Sequence, residues 1–294
     1  MPKIDYDFIA RVLTEDLGEG DLTTKALGIS DKKAMAVLWA KERGVLAGQK
    51  LFEAFFDYFE SGCRIRWHVK EGGRVEAGMK AAEVAGPASV LLAAERTALN
   101  TLSHLSGVAT LTAQFVYALQ GTGAKILDTR KTLPGLRAWE KYAVQVGGGK
   151  NHRFGLFDQV LVKENHLTQV GSVANAVKKS LAYLKKNYPG WKNDLKSKPL
   201  FEIEVKNQKE MLSALNAGGR FLMLDNFPLL EMAEAVKKAR EWEKKHKTKV
   251  WLEASGNVEM ATVRRITNTG VDFISAGALT HSAPALDFSL KIVK

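Results

Sequence analysis

The spacing of apolar positions changes character along the chain, and the changes divide it. Near the start, Ile4, Phe8, Ile9, Val12 and Leu13 recur at helical spacing and stop before Gly18 and Gly20, where a helix would end. Residues 34–40 and 64–69 read as strands flanking an apolar helix around 51–59, and the glycines of 72–78 mark tight turns. A long helical pattern spans 89–120. Beyond Gly121-Thr122-Gly123, short apolar runs at 125–128, 160–163, 201–205, 221–225, 250–254 and 272–276 alternate with helical patterns. Such alternation means βαβ units and parallel strands.

With no glycine-rich dinucleotide fingerprint after the first of these strands, a TIM-like barrel is favoured over a doubly wound sheet. The expected fold is α/β: an N-terminal mixed α+β sandwich domain, residues 1–112, then an open or incomplete TIM-like α/β barrel, residues 113–283. Residues 284–294 are set apart as a segment that can pack back on the first domain.

Composition narrows the class. Hydrophobic residues make up 46% and charged residues 26% of 294, which excludes a disordered or low-complexity chain. The net charge of +11 points to anionic partners. One cysteine, Cys63, excludes an internal disulfide and a cysteine-based zinc cluster, and suits a reducing compartment. Asp5 and Asp7 interrupt the first residues where a signal peptide would be apolar, and no apolar run approaches ~18 residues. The expected location is the cytoplasm, with no membrane partner. Lysines 178, 179, 185, 186, 192, 196 and 198 form a basic insertion read as a solvated surface excursion, since it lacks the aromatic interleaving of a nucleic-acid contact.

The chemistry gathers where strands end. Asp128-Thr129-Arg130-Lys131, Lys163-Glu164-Asn165-His166, Asp225-Asn226, Ser255-Gly256-Asn257 and Ala276-Gly277-Ala278 each follow a strand. In an α/β barrel these ends form one mouth. Alternation puts Glu202 and Glu204 on one face of their strand, pointing inward, and Glu253 inward on another. A carboxylate there is expensive unless paired or metal-bound, and in the paired case Lys131, Lys163 or arginines are expected beside Glu202 and Glu253. Small residues after the last two strands suit a phosphate. His152 and Arg153, after a triple glycine, are candidate ligands of an anion.

These residues resemble a known family, the quinolinate phosphoribosyltransferases (nicotinate-nucleotide pyrophosphorylase, carboxylating). The matching stretches run in order over nearly the whole chain: Glu15-Asp16-Leu17-Gly18, Glu95-Arg96-Thr97-Ala98-Leu99-Asn100, Asp128-Thr129-Arg130-Lys131-Thr132, Glu140-Lys141-Tyr142-Ala143-Val144, the 147–153 block, Leu224-Asp225-Asn226 and Gly277-Ala278-Leu279-Thr280-His281. The resemblance implies a homodimer with shared active sites, with hexamers as a further assembly left open, and quinolinate and phosphoribosyl pyrophosphate as substrates. It implies that Thr129, Arg130, Lys131, His152, Arg153 and Lys163, with Arg96 from the neighbouring subunit, hold quinolinate. Glu204 and Asp225 would serve the ribose hydroxyls, in part through Mg²⁺, and with Lys131 and Lys163 form the catalytic set. Ser255, Gly256, Asn257, Ala276, Gly277, Ala278 and His281 would hold the 5′-phosphate. Asn257 stands where the family pattern has a second glycine, and asparagine tolerates positive φ.

Two alternatives stay open on these residues. One is a related phosphoribosyltransferase of molybdenum-transport clusters, with another acceptor; the other is a basic nucleic-acid-binding protein. The dicarboxylate-sized set of cations favours quinolinate over the first, and cations at strand ends instead of one surface stripe disfavour the second.

Overall fold

The structure, a computed structural model, describes residues 1–29 and 32–293. It contains two compact units: Met1–Ala113 with Thr132–Gly148 and the chain from Leu279 onward, and Gln114–Lys131 with Gly149–Ala278.

In the first unit, Asp5 caps helix α1 (Tyr6–Leu17) by accepting from the amides of Asp7 and Phe8, and Gly18 ends it at a φ of +50°. Asp21 caps the short α2 (Leu22–Ala26) in the same way. Strands β1 (Lys33–Ala40) and β2 (Gly44–Val45) precede α3 (Gln49–Asp57); β3 (Arg64–Trp67), β4 (Arg74–Val75) and β5 (Lys80–Pro87) follow. One face of α3 buries Leu51, Phe52, Ala54, Phe55 and Phe56, and Phe52 meets Trp67 of β3 edge-on at 5.5 Å. Burial of each large side chain stabilises by about 1.5–3 kcal/mol, so this face holds helix to sheet.

The chain from β5 runs directly into α4 (Ala88–Ala118). The second unit then opens with β6 (Lys125–Leu127), and α5 (Arg137–Val146) returns to the first unit, where Glu140 lies 2.7 Å from His104 of α4. Residues 132–148 and 279–283, expected with the barrel, thus group with the N-terminal unit.

Five further strands follow in alternation: β7 (Gln159–Val162), α6 (Glu164–Val170), α7 (Val173–Asn187), β8 (Leu200–Val205), α8 (Gln208–Asn216), β9 (Phe221–Asp225), α9 (Leu229–His246), β10 (Trp251–Ser255), α10 (Met260–Thr267) and β11 (Phe273–Ser275). All six pair in parallel, in the order β6-β11-β10-β9-β8-β7. Among the described residues no ladder joins β7 to β6, so the barrel is open. After α11 (Ala278–His281), the last strand, β12 (Phe288–Val293), lies antiparallel to β1 and completes a sheet of order β12-β1-β5-β3.

The lysine-rich stretch differs in part from a surface excursion. Lysines 178, 179, 185 and 186 are the solvent face of α7, whose Val173, Ala176, Val177 and Leu184 recur at helical spacing and are buried. Only 188–199 is irregular. Among the described residues no helix is long and apolar enough to cross a membrane.

Candidate active site

Parallel pairing brings the carboxyl ends of the strands to one edge of the sheet. Val162 pairs with Ile203, Val205 with Leu224, Asp225 with Ser255, and Ser275 with Leu127. The residues that follow these positions are therefore neighbours in space, although far apart in sequence.

Lys163, directly after β7, places Nζ 2.8 Å from Glu204 Oε2 of β8. Asp225 ends β9 and accepts from its neighbour Asn226 at 2.9 Å. Burial raises the Asp225 carboxyl above its ordinary value, and the charge of Glu204 raises it further. Lys163, Glu204 and Asp225 are thus brought together as expected from their places at strand ends.

Arg130 and Lys131 lie in the turn after β6, which Thr129 shapes by accepting the Lys131 amide at 3.0 Å. Arg153 is buried, its guanidinium donating to the Gln159 carbonyl at 3.3 Å. Burial, and then the like charge of Arg130, hold Arg153 below its ordinary value. Two guanidiniums brought close enough to repel form a place where an anion gains.

His152 is set among acids as well as cations. Its Nε2 lies 3.0 Å from Glu202 and 3.5 Å from Glu253, both fully buried, so these acids pair with a histidine, and the charge of Glu202 also reaches Arg153. The contacts are off line for straight hydrogen bonds, and charge holds them. Burial works against charge on the ring, but Glu253 and then Glu202 outweigh it and push His152 up to about 10. Burial, and then Glu253, push Glu202 up to about 7. The Arg153 amide points at Nδ1 at 2.8 Å. That contact competes with full protonation, because a protonated Nδ1 cannot accept; in either form Nε2–H faces the acids. Both ring nitrogens thus face protein atoms.

The two small-residue loops are in place. Gly256 has a φ of +97°, and a Cβ there would lie 2.1 Å from Asn226 Oδ1, so only glycine fits. Asn257 takes a φ of +47°, keeping the turn without a second glycine. The Ala276 amide bonds the Leu127 carbonyl at 3.0 Å, fixing Ala276-Gly277-Ala278 beside the end of β6. Arg96, exposed on α4, and His281 belong to the first unit.

Two residues outside the sequence-based set also shape the site. Asp128, fully buried, accepts the His152 amide at 2.8 Å, and Gln159 donates to Glu202 at 2.7 Å. A charged residue at the end of an apolar strand was the available signal for Asp128; Gln159 had none.

Profiles of the quinolinate phosphoribosyl transferase N-terminal and C-terminal domains match residues 21–106 and 108–291. The chain belongs to the quinolinate phosphoribosyltransferase family. A mitochondrial quinolinate phosphoribosyltransferase (decarboxylating) of Nicotiana tabacum is 41% identical over 283 residues, 95% of this chain and 80% of the plant protein. The chloroplastic nicotinate-nucleotide pyrophosphorylase (carboxylating) of Arabidopsis thaliana is 40% identical, covering 99% of this chain and 84% of its own. The solved nicotinate-nucleotide pyrophosphorylase of Francisella tularensis superposes with a TM-score of 0.85 at 37% identity, over 99% of this family member and 98% of that chain. The Ehrlichia chaffeensis enzyme of the same name gives 0.87 at 33% identity, over the full length of both.

Proposed function

We propose that this quinolinate phosphoribosyltransferase family member transfers the phosphoribosyl group of phosphoribosyl pyrophosphate to quinolinate with decarboxylation. The products are nicotinate mononucleotide, pyrophosphate and CO₂, a step of de novo NAD biosynthesis; the protein is a pentosyltransferase. The observation that carries this reading is the presence of unlike groups along one sheet edge: Arg130 and Arg153 near enough to repel, and Lys163 paired with Glu204, whose charge also reaches Asp225. One side suits a dianionic acceptor and the other a sugar that becomes cationic.

Arg130, Arg153, Lys131 and Lys163 would hold the two quinolinate carboxylates with charge-assisted bonds, with Thr129 shaping the turn. Arg96 of the partner subunit would complete the set in a homodimer. The ring nitrogen attacks the anomeric carbon as pyrophosphate leaves, and Glu204 and Asp225 stabilise the oxocarbenium-like transition state. The 5′-phosphate would rest on the amides of Ser255-Gly256-Asn257 and Ala276-Gly277-Ala278, with His281 contributing. In the adduct, the pyridinium nitrogen stabilises the carbanion left as the 2-carboxylate departs as CO₂, and a proton from solvent then takes its place at C2, so the protein need only orient and desolvate that carboxylate before it leaves.

A divalent cation suits this donor set, two carboxylates carried at the ends of the neighbouring strands β8 and β9. Glu204 and Asp225 would hold Mg²⁺, directly or through water, and bound there it would offset the charge of the leaving pyrophosphate. A cytoplasmic setting is supported by the single cysteine.

Purified protein supplied with quinolinate, phosphoribosyl pyrophosphate and Mg²⁺ should release pyrophosphate and CO₂ in equal amounts. Turnover of nicotinate in place of quinolinate would overturn the acceptor.

A further inference from the structure

We infer that Glu253 and Glu202 form a buried brace which, through the His152 ring, aims the Arg153 guanidinium at the acceptor's carboxylate. The inference rests on the functional reading above and adds to it two positioning residues that do not themselves reach substrate.

The His152–Arg153 dipeptide lies in an irregular loop just past Lys150, whose backbone bridges to β6, and beyond that bridge no ladder or helix fixes it. Side chains from four strand regions do so instead. Asp128, after β6, takes the His152 amide at 2.8 Å. Glu202 of β8 and Glu253 of β10 hold Nε2 at 3.0 and 3.5 Å. Gln159, the first residue of β7, links both halves: its side chain donates to Glu202 at 2.7 Å and its carbonyl accepts from the Arg153 guanidinium at 3.3 Å. The ring's other nitrogen receives the Arg153 amide at 2.8 Å, so its orientation is transmitted to the arginine backbone.

Stability alone is a poor reason for this cluster. Both acids are fully buried, and neither Glu253 oxygen meets a hydrogen-bond donor in line. Replacing buried ion pairs by packed apolar side chains is often neutral or stabilising, so a chain selected only to fold has no need of them. The cluster sits beside a buried arginine already crowded by Arg130. A guanidinium in that position drifts from its repelling neighbour unless its backbone is anchored. Among the groups facing His152 are Glu202, Glu253, the Asp128 carboxylate at its amide and Arg153 itself, and the acids outweigh burial.

The three potential ligand atoms of His152, Glu202 and Glu253 also lie within 4.8 Å of one another, so the test must separate a brace from a metal centre. The variant is Glu253→Gln, which keeps the shape and removes the charge, with Glu253→Asp as the charge-preserving control; thermal melts establish that each is folded. If the brace acts, Glu253→Gln raises the KM for quinolinate by about 10- to 100-fold, with kcat and the donor KM nearly unchanged, and Glu253→Asp recovers most of the loss. ¹⁵N-histidine NMR gives a readout independent of turnover. Between about pH 6 and 8.5 the His152 ring should keep one protonation state in the parent protein, with only a small shift as Glu202 titrates, and should itself change protonation state within that window in Glu253→Gln.

An unchanged His152 signal in the folded variant overturns the brace, whatever the substrate is. So does equal loss on both substrates and kcat, or bound metal in the parent protein that Glu253→Gln lacks. Absence of quinolinate turnover in the parent protein, with the His152 titration behaving as described, overturns the functional reading and leaves the brace standing.

Discussion

At the residue scale, the site combines groups whose removal should be felt unequally. In the proposed reaction, Arg130→Ala and Lys163→Ala would each leave a substrate carboxylate without its cation, at a cost of about 2–5 kcal/mol, or roughly 30- to several-thousand-fold in kcat/KM. Lys163→Ala should be the worse of the two, because Glu204, 2.8 Å away, then also loses its partner. Steady-state kinetics on folded variants would check the order. Glu204→Gln and Asp225→Asn should weaken the donor side instead, since both acids face the ribose in the proposed reaction. Titration of each substrate separately would reveal misplacement as loss of quinolinate affinity alone. Gly256→Ala forces a side chain onto a φ of +97° and against Asn226. Strain of about 1–2 kcal/mol should appear as a roughly tenfold higher donor KM, with quinolinate binding retained.

At the scale of elements, loops depend on small local devices. The turn after β8 is closed by a reciprocal cap: Asn207 accepts the Glu210 amide at 2.9 Å, and Glu210 accepts the Lys206 amide at 2.9 Å. Asn207→Ala should lower stability by about 0.5–2 kcal/mol, measured as a shift in denaturant midpoint. The loop carrying Arg153 is held by Asp158, which accepts from the amides of Phe154 and Gly155 at 2.8 and 2.9 Å. Burial opposes charge on Asp158, but these bonds outweigh it and hold the carboxyl below its ordinary value. A depressed folded value means that the stabilisation is fully present above the ordinary carboxylate range and is lost as pH falls through the folded value. Asp158→Asn should therefore lower the melting temperature most at neutral pH, where this stabilisation is present, and flatten the acid limb of the profile.

At the scale of the whole molecule, the proposed homodimer makes a prediction that no single chain can meet. If Arg96 works in the partner's site, mixing inactive Arg96→Ala with inactive Lys163→Ala protein restores activity, because a mixed dimer contains one intact site. With random exchange about half the dimers are mixed, each with one good site of two, so recovery approaches about a quarter of the parent activity. Exchange without recovery would show that Arg96 acts within its own chain or not at all.

The order of elements and the location of the chemistry were legible in the amino-acid pattern. Short apolar runs alternating with helical patterns, with Asp128, Lys163 and Asp225 at or just past the runs, are enough to mark the carboxyl edge of a parallel sheet. Pairing was not legible. That β12 closes the N-terminal sheet against β1, and that α5 groups with the N-terminal unit, depend on contacts between distant segments, which local periodicity does not encode. The same holds for His152. Sequence placed it among cations near an anion; only tertiary structure put Glu202 and Glu253 against its ring, because a loop without a period gives no direction to its side chains. The sequence by itself thus determined which residues could do the chemistry, and the tertiary structure decided which of them can turn toward a substrate and which are spent holding the others in place.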